Sequence, residues 1–327
     1  MMTNQETMAL QLADLVDRVG FAPDAVLAVV TVNRDGTLDR HARGALPDGR
    51  AMSTSTLVYG ASQTKQIIAL CAARLVQARR LDPEAPLATW FPDWPAWARQ
   101  VRFRHLVHHL SGMPNEDVLL ARMAELGFER RTSDAMLSAV ATFPDLQSAP
   151  GETYAYSNIG YVTMSRIIEH IAGAPLAEHV HSVVFEPLAM EHSLLWAGSD
   201  AYPAGANPLD PAQPTPHSLG DGGMWTTADD FSRWIRAMNA DRFGVRDLMM
   251  TTTTMNDGTP HDYAWAVRVS DEYGHLVCSH GGAWWGSVSK SAWLPTRGSG
   301  FIAFTVAGGE PLDALSTALV ERLTGGA

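Results

Sequence analysis

Apolar positions in the first quarter of the chain change from helical to strand spacing and back. Polar residues at helix-like intervals predict an amphipathic helix over residues 8–19. A valine-rich run at 25–31 and a partly alternating segment at 37–45 flank an Asn-Arg-Asp-Gly turn, which is typical of a β-hairpin. The strongest helical pattern of the chain follows at 62–81, with an apolar body at 67–76.

The middle of the chain is helical in period. Apolar residues recur every three or four positions in five segments, which predict helices at 101–110, 116–126, 133–142, 161–171 and 176–185. Five prolines between positions 203 and 216 predict a rigid surface loop. Another helix is predicted at 227–238.

The last third returns to strand-like spacing. Short apolar runs at 263–269, 275–278, 287–294 and 300–306 predict strands, and a closing helix is predicted at 311–323. This order predicts an α/β (α+β) fold, with a sheet built from both chain ends and a helical insertion. We place the sheet-containing domain at 1–90 and 218–327, and the mainly helical domain at 91–217.

Composition and charge exclude several classes of partner. The 327 residues allow one large domain or two closely joined ones. A net charge of -11 argues against nucleic acid and anionic membranes, because both require a basic face. No apolar run is long enough to span a bilayer, and the N-terminus lacks the pattern of a signal peptide. We therefore expect a cytoplasmic location.

The cysteines and histidines give little indication of a metal. Cys71 and Cys278 lie far apart and are predicted to be buried free thiols. His105 and His109 are four residues apart in a predicted helix, with His108 between them, and that spacing can bind zinc. Leu106 occupies the position where a zinc protease carries its glutamate. We predict no metal and no organic cofactor.

The first chemical motif is Ser62-Gln63-Thr64-Lys65, at the start of the strongest predicted helix. Residues three apart share one helix face, and free N–H groups in a first turn stabilise negative charge. A desolvated lysine has a lowered pKa and can take the proton of the serine. Ser-x-x-Lys also occurs by chance in many helices, so the motif needs companions.

A second motif places Tyr156 and Asn158 two residues apart in a turn before a helix. A tyrosinate, or a tyrosine that shares its proton with Lys65, can act as general base toward Ser62 and later as acid toward the leaving group. The amide of Asn158 can hold Lys65 or the substrate. The alternative is a tyrosine-rich turn that only caps the helix.

A third motif lies between two predicted strands and contains consecutive glycines, Gly281 and Gly282. Glycines in such a position let a ligand or another backbone approach closely. The N–H groups of Ala283 and Ser62 would together form an oxyanion hole, and His280 can hydrogen-bond the substrate. The alternative is an ordinary glycine turn with a core histidine.

Together, the three motifs resemble the serine β-lactamase and penicillin-binding-protein superfamily, in particular its class C β-lactamase-like esterases, D-aminopeptidases and carboxypeptidases. The order Ser-x-x-Lys, Tyr-x-Asn, His-x-Gly is the same. Residues 81–92, 104–114 (RHLVHHLSGMP), 185–190 (FEPLAM) and 222–230 (GGMWTTADD) are similar to further stretches of that family. The resemblance extends over roughly residues 25 to 310.

The resemblance implies a β-lactamase-like fold, in which an antiparallel sheet flanked by helices lies beside the helical domain and the active site lies between them. Ser62 would attack a carbonyl, Lys65 and Tyr156 would move the proton, and Ser62 and Ala283 would hold the oxyanion. The remaining site residues would bind substrate; they are Asn158, His280, Gly281, Gly282, Trp284 and Trp285.

One departure from the family affects the expected substrate. Many β-lactamases and transpeptidases carry Lys-Thr-Gly at the third motif, whereas this chain has His280-Gly281-Gly282, and an imidazole is mostly neutral at pH 7. We therefore expect ester or amide acyl donors rather than efficient β-lactam hydrolysis. Trp284 and Trp285 suit a hydrophobic or aromatic acyl group, unless they only pack in the core.

The principal hypothesis is a serine hydrolase of esterase, D-amino-acid amidase or peptidase type that acts on a small-molecule acyl substrate. One alternative is a biosynthetic acyltransferase that uses the same acyl-enzyme with an amine or alcohol acceptor. Another is a non-catalytic binding protein on this fold. The natural substrate and the oligomeric state stay open.

Overall fold

The computed structural model describes residues 4–197, 201–307 and 309–325. The helices are α1 (Asn4–Arg18), α2 (Thr64–Gln77), α3 (Phe103–Val107), α4 (Glu116–Glu125), α5 (Ser133–Val140), α6 (Asn158–Ala172), α7 (Leu176–Val180), α8 (Ala228–Asn239), α9 (Arg246–Met249) and α10 (Glu310–Thr324). The strands are β1 (Leu27–Val32), β2 (Leu38–Arg43), β3 (Val58–Tyr59), β4 (Leu194–Leu195), β5 (Met224–Thr226), β6 (Thr253–Thr254), β7 (Pro260–His261), β8 (Arg268–Glu272), β9 (His275–Trp284), β10 (Ser287–Leu294) and β11 (Ser299–Thr305).

The central sheet uses both ends of the chain. Its six strands lie in the order β2-β1-β11-β10-β9-β8, and each neighbouring pair is antiparallel. Strand β1 pairs with β11, so that Leu27 lies opposite Thr305 and Val29 opposite Ala303. The predicted fold, an antiparallel sheet flanked by helices, is confirmed. The proposed domain boundaries at residues 90 and 218 stay a prediction.

Helices cover both faces of this sheet. Successive side chains of a strand point to opposite faces. Leu27 and Val29 of β1 join an apolar cluster with Leu315 of α10, whereas Val30 joins a second cluster with Ile235 of α8. All six residues of β1 are buried. Because helices pack on both faces of β1, both sets of its side chains are mostly apolar, and this explains the valine-rich run in the sequence.

Helix α2 lies in the interior between the sheet and the helical region. Residues 64–73 are all buried, and Ile67, Ile68 and Leu70 have no exposed surface. A helix that is apolar on every side needs neighbours all around it. Helix α6 packs on one side of α2, and the turn before α2 contacts β9. The residues just before α2 therefore lie where the sheet meets the helices.

Most predicted helices are confirmed within a few residues, but two end early. The segment predicted as a helix at 62–81 consists of a 3₁₀ turn (Ala61–Gln63) and α2, which ends at Gln77. The segment predicted at 101–110 contains only α3, which ends at Val107. In both cases a residue just beyond the helix, Arg79 or His109, has a positive φ, which a right-handed helix does not allow.

Other predictions differ in type or extent. The helix predicted at 176–185 is α7 followed by a π-helical turn (His181–Phe185). The strand predicted at 263–269 begins only at Arg268. The proline-rich loop at 203–216 is irregular, as predicted, but partly buried: the N–H of Asn207 donates to the carbonyl of Leu57.

The glycine segment, which the sequence placed between two predicted strands, is part of β9, so the alternative of an ordinary glycine turn does not apply. Gly281 lies opposite Lys290 and Gly282 opposite Ser289 in the ladder with β10. Pairing with a neighbouring strand has overridden the low strand propensity of glycine. The segment is therefore held rigidly along the cleft.

Two further predictions can be compared with the described residues. Cys71 and Cys278 are both buried and free, as predicted. Within the described ranges, no helix combines the length and apolar character needed to cross a bilayer. The cytoplasmic location stays a prediction.

Candidate active site

Ser62 lies in the 3₁₀ turn that precedes α2. The N–H of Gln63 donates to the carbonyl of Gly60 and closes this turn. Ala61, directly before the serine, has a φ of 45°, in the left-handed region that non-glycine residues rarely adopt. Such backbone strain is concentrated at functional sites. The turn presents Ser62 to the cleft between the sheet and the helical region.

Lys65 is fully buried one turn after Ser62. Its Nζ lies 3.0 Å from Ser62 Oγ, 2.9 Å from Asn158 Oδ1 and 2.7 Å from the carbonyl oxygen of Asp221. Burial lowers the pKa of Lys65 to about 7, although the Asp221 carboxylate opposes this shift. Close to neutral pH, a large fraction of the amine is therefore uncharged.

The partners of Lys65 determine which way its lone pair points. A neutral amine has two N–H donors and one acceptor lone pair. The amide oxygen of Asn158 and the carbonyl of Asp221 can only accept hydrogen bonds, so they take the two donors. The remaining lone pair faces the hydroxyl of Ser62. This arrangement can take the proton of Ser62.

Tyr156 forms one wall of the cleft above Lys65. It lies in the turn before α6, where the Ser157 hydroxyl accepts from the N–H of Gly160 and caps the helix. Lys65 Nζ lies 4.9 Å from the Tyr156 ring centroid. The residue is 41% exposed, and its hydroxyl hydrogen-bonds Ser62.

The environment keeps Tyr156 protonated near neutral pH. Burial of the hydroxyl raises the pKa of Tyr156 well above its ordinary value, and the hydrogen bond with Ser62 only partly opposes this. Of the two forms considered from the sequence, the structure therefore favours a neutral tyrosine that passes a proton over a tyrosinate.

Asn158, the first residue of α6, has a fixed amide orientation. Its Oδ1 accepts from Lys65, and its Nδ2 donates to Glu116 Oε2 over 3.0 Å. Only this assignment of the amide oxygen and nitrogen satisfies both partners, because an ammonium or amine donates and a carboxylate accepts.

His280 on β9 is a neutral imidazole. Its Nδ1 hydrogen-bonds the carbonyl of Gly281, which can only accept, so Nδ1 carries the proton. Its Nε2 therefore accepts from the hydroxyl of Tyr263, 2.9 Å away. Burial, together with the nearby Lys65, lowers the pKa of His280 to about 3. The third motif thus carries no cation near pH 7.

Strand β9 runs directly against the turn that holds Ser62. A Cβ built on Gly282 would lie 3.3 Å from the backbone nitrogen of Ser62 and 2.6 Å from the carbonyl of Gly60. The next residue, Ala283, is exposed and lines the same cavities as Ser62. The structure therefore brings together the two residues whose N–H groups were expected to bind an oxyanion.

Gly282→Ala is expected to disturb both the strand and the serine turn. The added methyl would lie 2.6 Å from the Gly60 carbonyl and 2.7 Å from Ser289 Oγ, inside contact distance. Overpacking costs about 1–3 kcal/mol, so we expect a lower thermal unfolding midpoint. Displacement of the strand should also slow covalent labelling of Ser62 at least about tenfold.

The control for stability is Gly281→Ala, whose Cβ would have its nearest neighbour at 3.5 Å. Equal unfolding midpoints in the two variants would contradict the close approach.

The cleft extends to both sides of Ser62. A cavity of about 660 Å³ on one side, called here the polar cavity, has many polar side chains in its lining, including Tyr154, Arg268, Ser279 and Ser291. A cavity of about 900 Å³ on the other side is largely apolar; its lining includes Leu120, Met123, Phe128, Trp284 and Trp285. The two meet at Asn158, Ala283 and Val288, so a ligand can occupy both sides at once.

The two tryptophans differ in burial. Trp284 is half-buried, its ring 6.3 Å from that of Tyr59, and its indole N–H donates to the carbonyl of Pro214. Trp285 is 50% exposed. Core packing, the alternative considered from the sequence, therefore does not describe Trp285. Both indoles face the apolar cavity.

Three charged residues at this site were missed by the sequence analysis. The Arg131 guanidinium lies 2.6 Å from Glu116 Oε1 and 2.7 Å from Asp221 Oδ2. Glu116 contacts Asn158, and the Asp221 carbonyl contacts Lys65. These residues are far apart in the sequence and follow no local pattern, so only the fold reveals the cluster.

The three neighbouring histidines have separate structural partners. The Nδ1 of His105 accepts from the N–H of Arg102, and that of His109 from the N–H of Ser157. The Nδ1 of His108 hydrogen-bonds the carbonyl of Tyr263. Within the part of the chain that the structure describes, no group of three or more His, Cys, Asp or Glu residues could hold a metal ion.

The fold and the site together define a class of protein. A sheet from both chain ends, a buried helix that begins beside a serine, and a lysine one turn later are the features of β-lactamase-like serine proteins. A model of the β-lactamase family matches residues 12–325, so the chain belongs to the β-lactamase family. The resemblance seen in the three sequence motifs is confirmed.

Curated relatives include hydrolases of several kinds. The chain is 28% identical over 193 residues to a D-aminopeptidase of Gluconobacter oxydans, covering 55% of this chain and 36% of that protein. It is 32% identical over 234 residues to esterase EstB of Burkholderia gladioli, covering 66% of this chain and 58% of the esterase. The chain thus spans only part of the length of these relatives.

Solved structures share the fold at low sequence identity. The D-amino acid amidase from Ochrobactrum anthropi in complex with L-phenylalanine amide has a TM-score of 0.76 and is 20% identical, over 95% of this chain and 99% of the amidase. The octameric penicillin-binding protein homologue from Pyrococcus abyssi has a TM-score of 0.79 and is 18% identical, over 99% of this chain and 78% of the homologue.

Proposed function

We propose that this protein is a serine hydrolase that cleaves ester or amide bonds through an acyl-enzyme on Ser62. One observation carries the proposal: the buried Lys65 amine lies 3.0 Å from Ser62 Oγ, and its two other partners can only accept hydrogen bonds. A nucleophile and a base in hydrogen-bond contact are the signature of covalent catalysis. A binding protein would have no need to bury an amine at this position.

The first half of the proposed reaction acylates the serine. Ser62 Oγ attacks the substrate carbonyl and forms a bond to its carbon, while the hydroxyl proton moves to Lys65 Nζ. The N–H groups of Ser62 and Ala283 stabilise the negative oxygen. The bond to the leaving group then breaks, and Tyr156 donates its hydroxyl proton to the departing oxygen or nitrogen and regains one from Lys65.

The second half releases the acyl group. Water, or another acceptor, attacks the ester carbonyl and gives its proton to Tyr156 and Lys65. The bond between the carbonyl carbon and Ser62 Oγ breaks, and the serine recovers a proton from the same pair. The reaction then balances as hydrolysis with water, or as acyl transfer with an amine or alcohol.

The two sides of the cleft suggest the chemical class of substrate. The apolar cavity beside Trp284 and Trp285 suits a bulky apolar or aromatic acyl group. In the polar cavity, Arg268 is paired with Asp262, and Lys290 with Asp313. With the third motif also uncharged, we propose an uncharged ester or amide donor. The names of the relatives, an esterase and a D-aminopeptidase, support the same bond types.

A panel of acyl donors tests this proposal. We expect p-nitrophenyl esters and anilides with phenylacetyl or longer apolar acyl groups to be hydrolysed with at least about tenfold higher kcat/KM than the acetyl compounds. Mass spectrometry of the products, with and without an added amine, distinguishes hydrolysis from transfer. Dominant transfer at low amine concentration would favour the acyltransferase. No turnover and no covalent adduct with any donor would favour the binding protein and overturn the proposal.

A further inference from the structure

Five residues close a ring of hydrogen bonds and ion pairs at the base of the cleft. Lys65 donates to Asn158, and Asn158 donates to Glu116. Arg131 joins Glu116 to the Asp221 carboxylate, and the backbone carbonyl of Asp221 returns to Lys65. Every contact in this ring lies between 2.6 and 3.0 Å.

The ring is shielded from solvent where its charges meet. The side chain of Asp221 is 5% exposed, that of Arg131 17% and that of Glu116 33%. Interactions between charges that are partly buried are stronger and less screened by salt than those on the surface. Arg131 also packs over the ring of Trp284, with its guanidinium carbon 5.8 Å from the ring centroid. The guanidinium is therefore held from several sides.

We propose that Arg131 is a positioning residue: by bridging Glu116 and Asp221, it holds in place both groups that aim the Lys65 amine at Ser62 and keeps that amine able to accept a proton. This inference rests on the proposed function, in which Lys65 is the base. Arg131 lies in the loop before α5, and its described ion pairs are with Glu116 and Asp221, so it acts on Lys65 through other residues.

Arg131 reaches the partners of Lys65 along both sides of the ring. On one side, Glu116 fixes the amide of Asn158, and Arg131 fixes the carboxylate of Glu116. On the other side, Arg131 holds the carboxylate of Asp221, the residue whose carbonyl accepts from Lys65. A guanidinium suits this role because it is always charged and presents several donors in one plane. Without it, two carboxylates would share the site with no bridging cation.

The charges that face Lys65 have opposite effects on its pKa. Burial lowers the pKa of Lys65; among the charged neighbours, the positive Arg131 lowers it further, whereas the negative Asp221 and Glu116 raise it. The other groups around the amine are His109 and His280, whose pKa values are also lowered, and the rings of Tyr156 and Tyr161. Removing the charge of Arg131 should therefore raise the pKa of Lys65, and removing that of Asp221 should lower it.

Nuclear magnetic resonance can measure this directly, because the chain contains only two lysines, Lys65 and Lys290. In protein labelled with ¹³Cε-lysine, Lys290→Arg assigns the two signals. We expect Arg131→Met to raise the pKa of Lys65 by about one pH unit, and Asp221→Asn to lower it. A merely structural defect would not move the titration in opposite directions in the two variants.

The matched control is Arg166→Met. Arg166 also lies between two carboxylates, those of Asp134 and Glu169, but belongs to α6 away from the ring. This variant should leave the Lys65 titration at its wild-type position. An unchanged Lys65 pKa in folded Arg131→Met, or shifts in the same direction in the two ring variants, would overturn the inference.

A kinetic experiment separates the charge of Arg131 from its geometry. The rate of fluorophosphonate labelling of Ser62 is measured from pH 5 to 9. For Arg131→Met we expect the rising limb to move to higher pH, with an about tenfold lower rate at pH 6. Arg131→Lys keeps the positive charge but lacks the planar set of guanidinium donors. For this variant we expect the labelling rate to have the wild-type pH midpoint and a lower maximum at high pH. A midpoint moved equally in both variants would contradict the role of the charge.

The proposed hydrolase function and the proposed role of Arg131 can be disproved independently. Absence of any adduct on the wild-type protein would contradict the proposed function, whereas the lysine titration needs no activity. If Ser62 is labelled and the labelling rate depends on pH in the same way in wild type and Arg131→Met, the serine hydrolase proposal is supported and only the role of Arg131 is contradicted.

Discussion

Ser62→Ala is expected to eliminate the covalent adduct with a fluorophosphonate and to reduce turnover at least ~10³-fold, as removal of the nucleophile does in other serine enzymes. The physical reason is that, among the described residues, Ser62 supplies the hydroxyl that hydrogen-bonds the Lys65 amine. The described partners of Lys65 Nζ are Ser62 Oγ and two groups that only accept hydrogen bonds. Intact-protein mass measures the adduct, and release of p-nitrophenol measures turnover.

The control for this prediction is another serine in the same cleft. Ser316 lines the polar cavity on α10, so Ser316→Ala removes a nearby hydroxyl without touching the Lys65 amine. That variant should keep a single adduct. Because Ser62 is only partly buried and lies in a turn, alanine there should leave the unfolding midpoint close to wild type. Turnover retained in Ser62→Ala would contradict the proposed mechanism outright.

Local spacing indicated the central part of the site, and the resemblance of three motifs to one family separated it from chance matches. Ser62 and Lys65 are three residues apart at the start of an apolar helix, and three-residue spacing places both side chains on one face whatever the rest of the fold. Tyr156 and Asn158 lie two residues apart in a turn before a helix, a pattern that also fits a simple helix cap, so the family resemblance was needed to assign them to the site. The structure brings all four within one cleft, although Ser62 lies in a 3₁₀ turn rather than in the helix proper.

Other features could not be predicted because they depend on contacts between distant segments. Residues 281 and 282 are glycines, and local propensity favours a turn, yet pairing with β10 extends β9 through them. Arg131 joins positions 116 and 221, which are 105 positions apart, and an isolated arginine in a loop gives no local signal. Likewise, the neutral state of His280 follows from burial and from its bond to Tyr263.

The Lys65 amine is expected to control acylation, so the rate of Ser62 labelling should rise with pH through about 7 and then reach a plateau. The sign follows from the direction of the shift: burial lowers the pKa of Lys65 from its ordinary value to about 7. Below that pH the amine is protonated and cannot accept the serine proton. The pKa of Tyr156 is raised and that of His280 is about 3, so neither accounts for a midpoint near neutrality.

Two replacements of Lys65 test this role. In Lys65→Arg the guanidinium stays charged across the whole range, and in Lys65→Met no base is present. For both we expect labelling and turnover to fall about 10²–10⁴-fold, the usual contribution of a positioned base, and the midpoint near pH 7 to disappear. Methionine is the safer variant because Lys65 is fully buried and methionine fills irregular apolar space. Thermal unfolding confirms that each variant is folded. A folded Lys65→Met that keeps the wild-type midpoint would show that another group takes the proton of Ser62, since methionine leaves no titrating atom at that position.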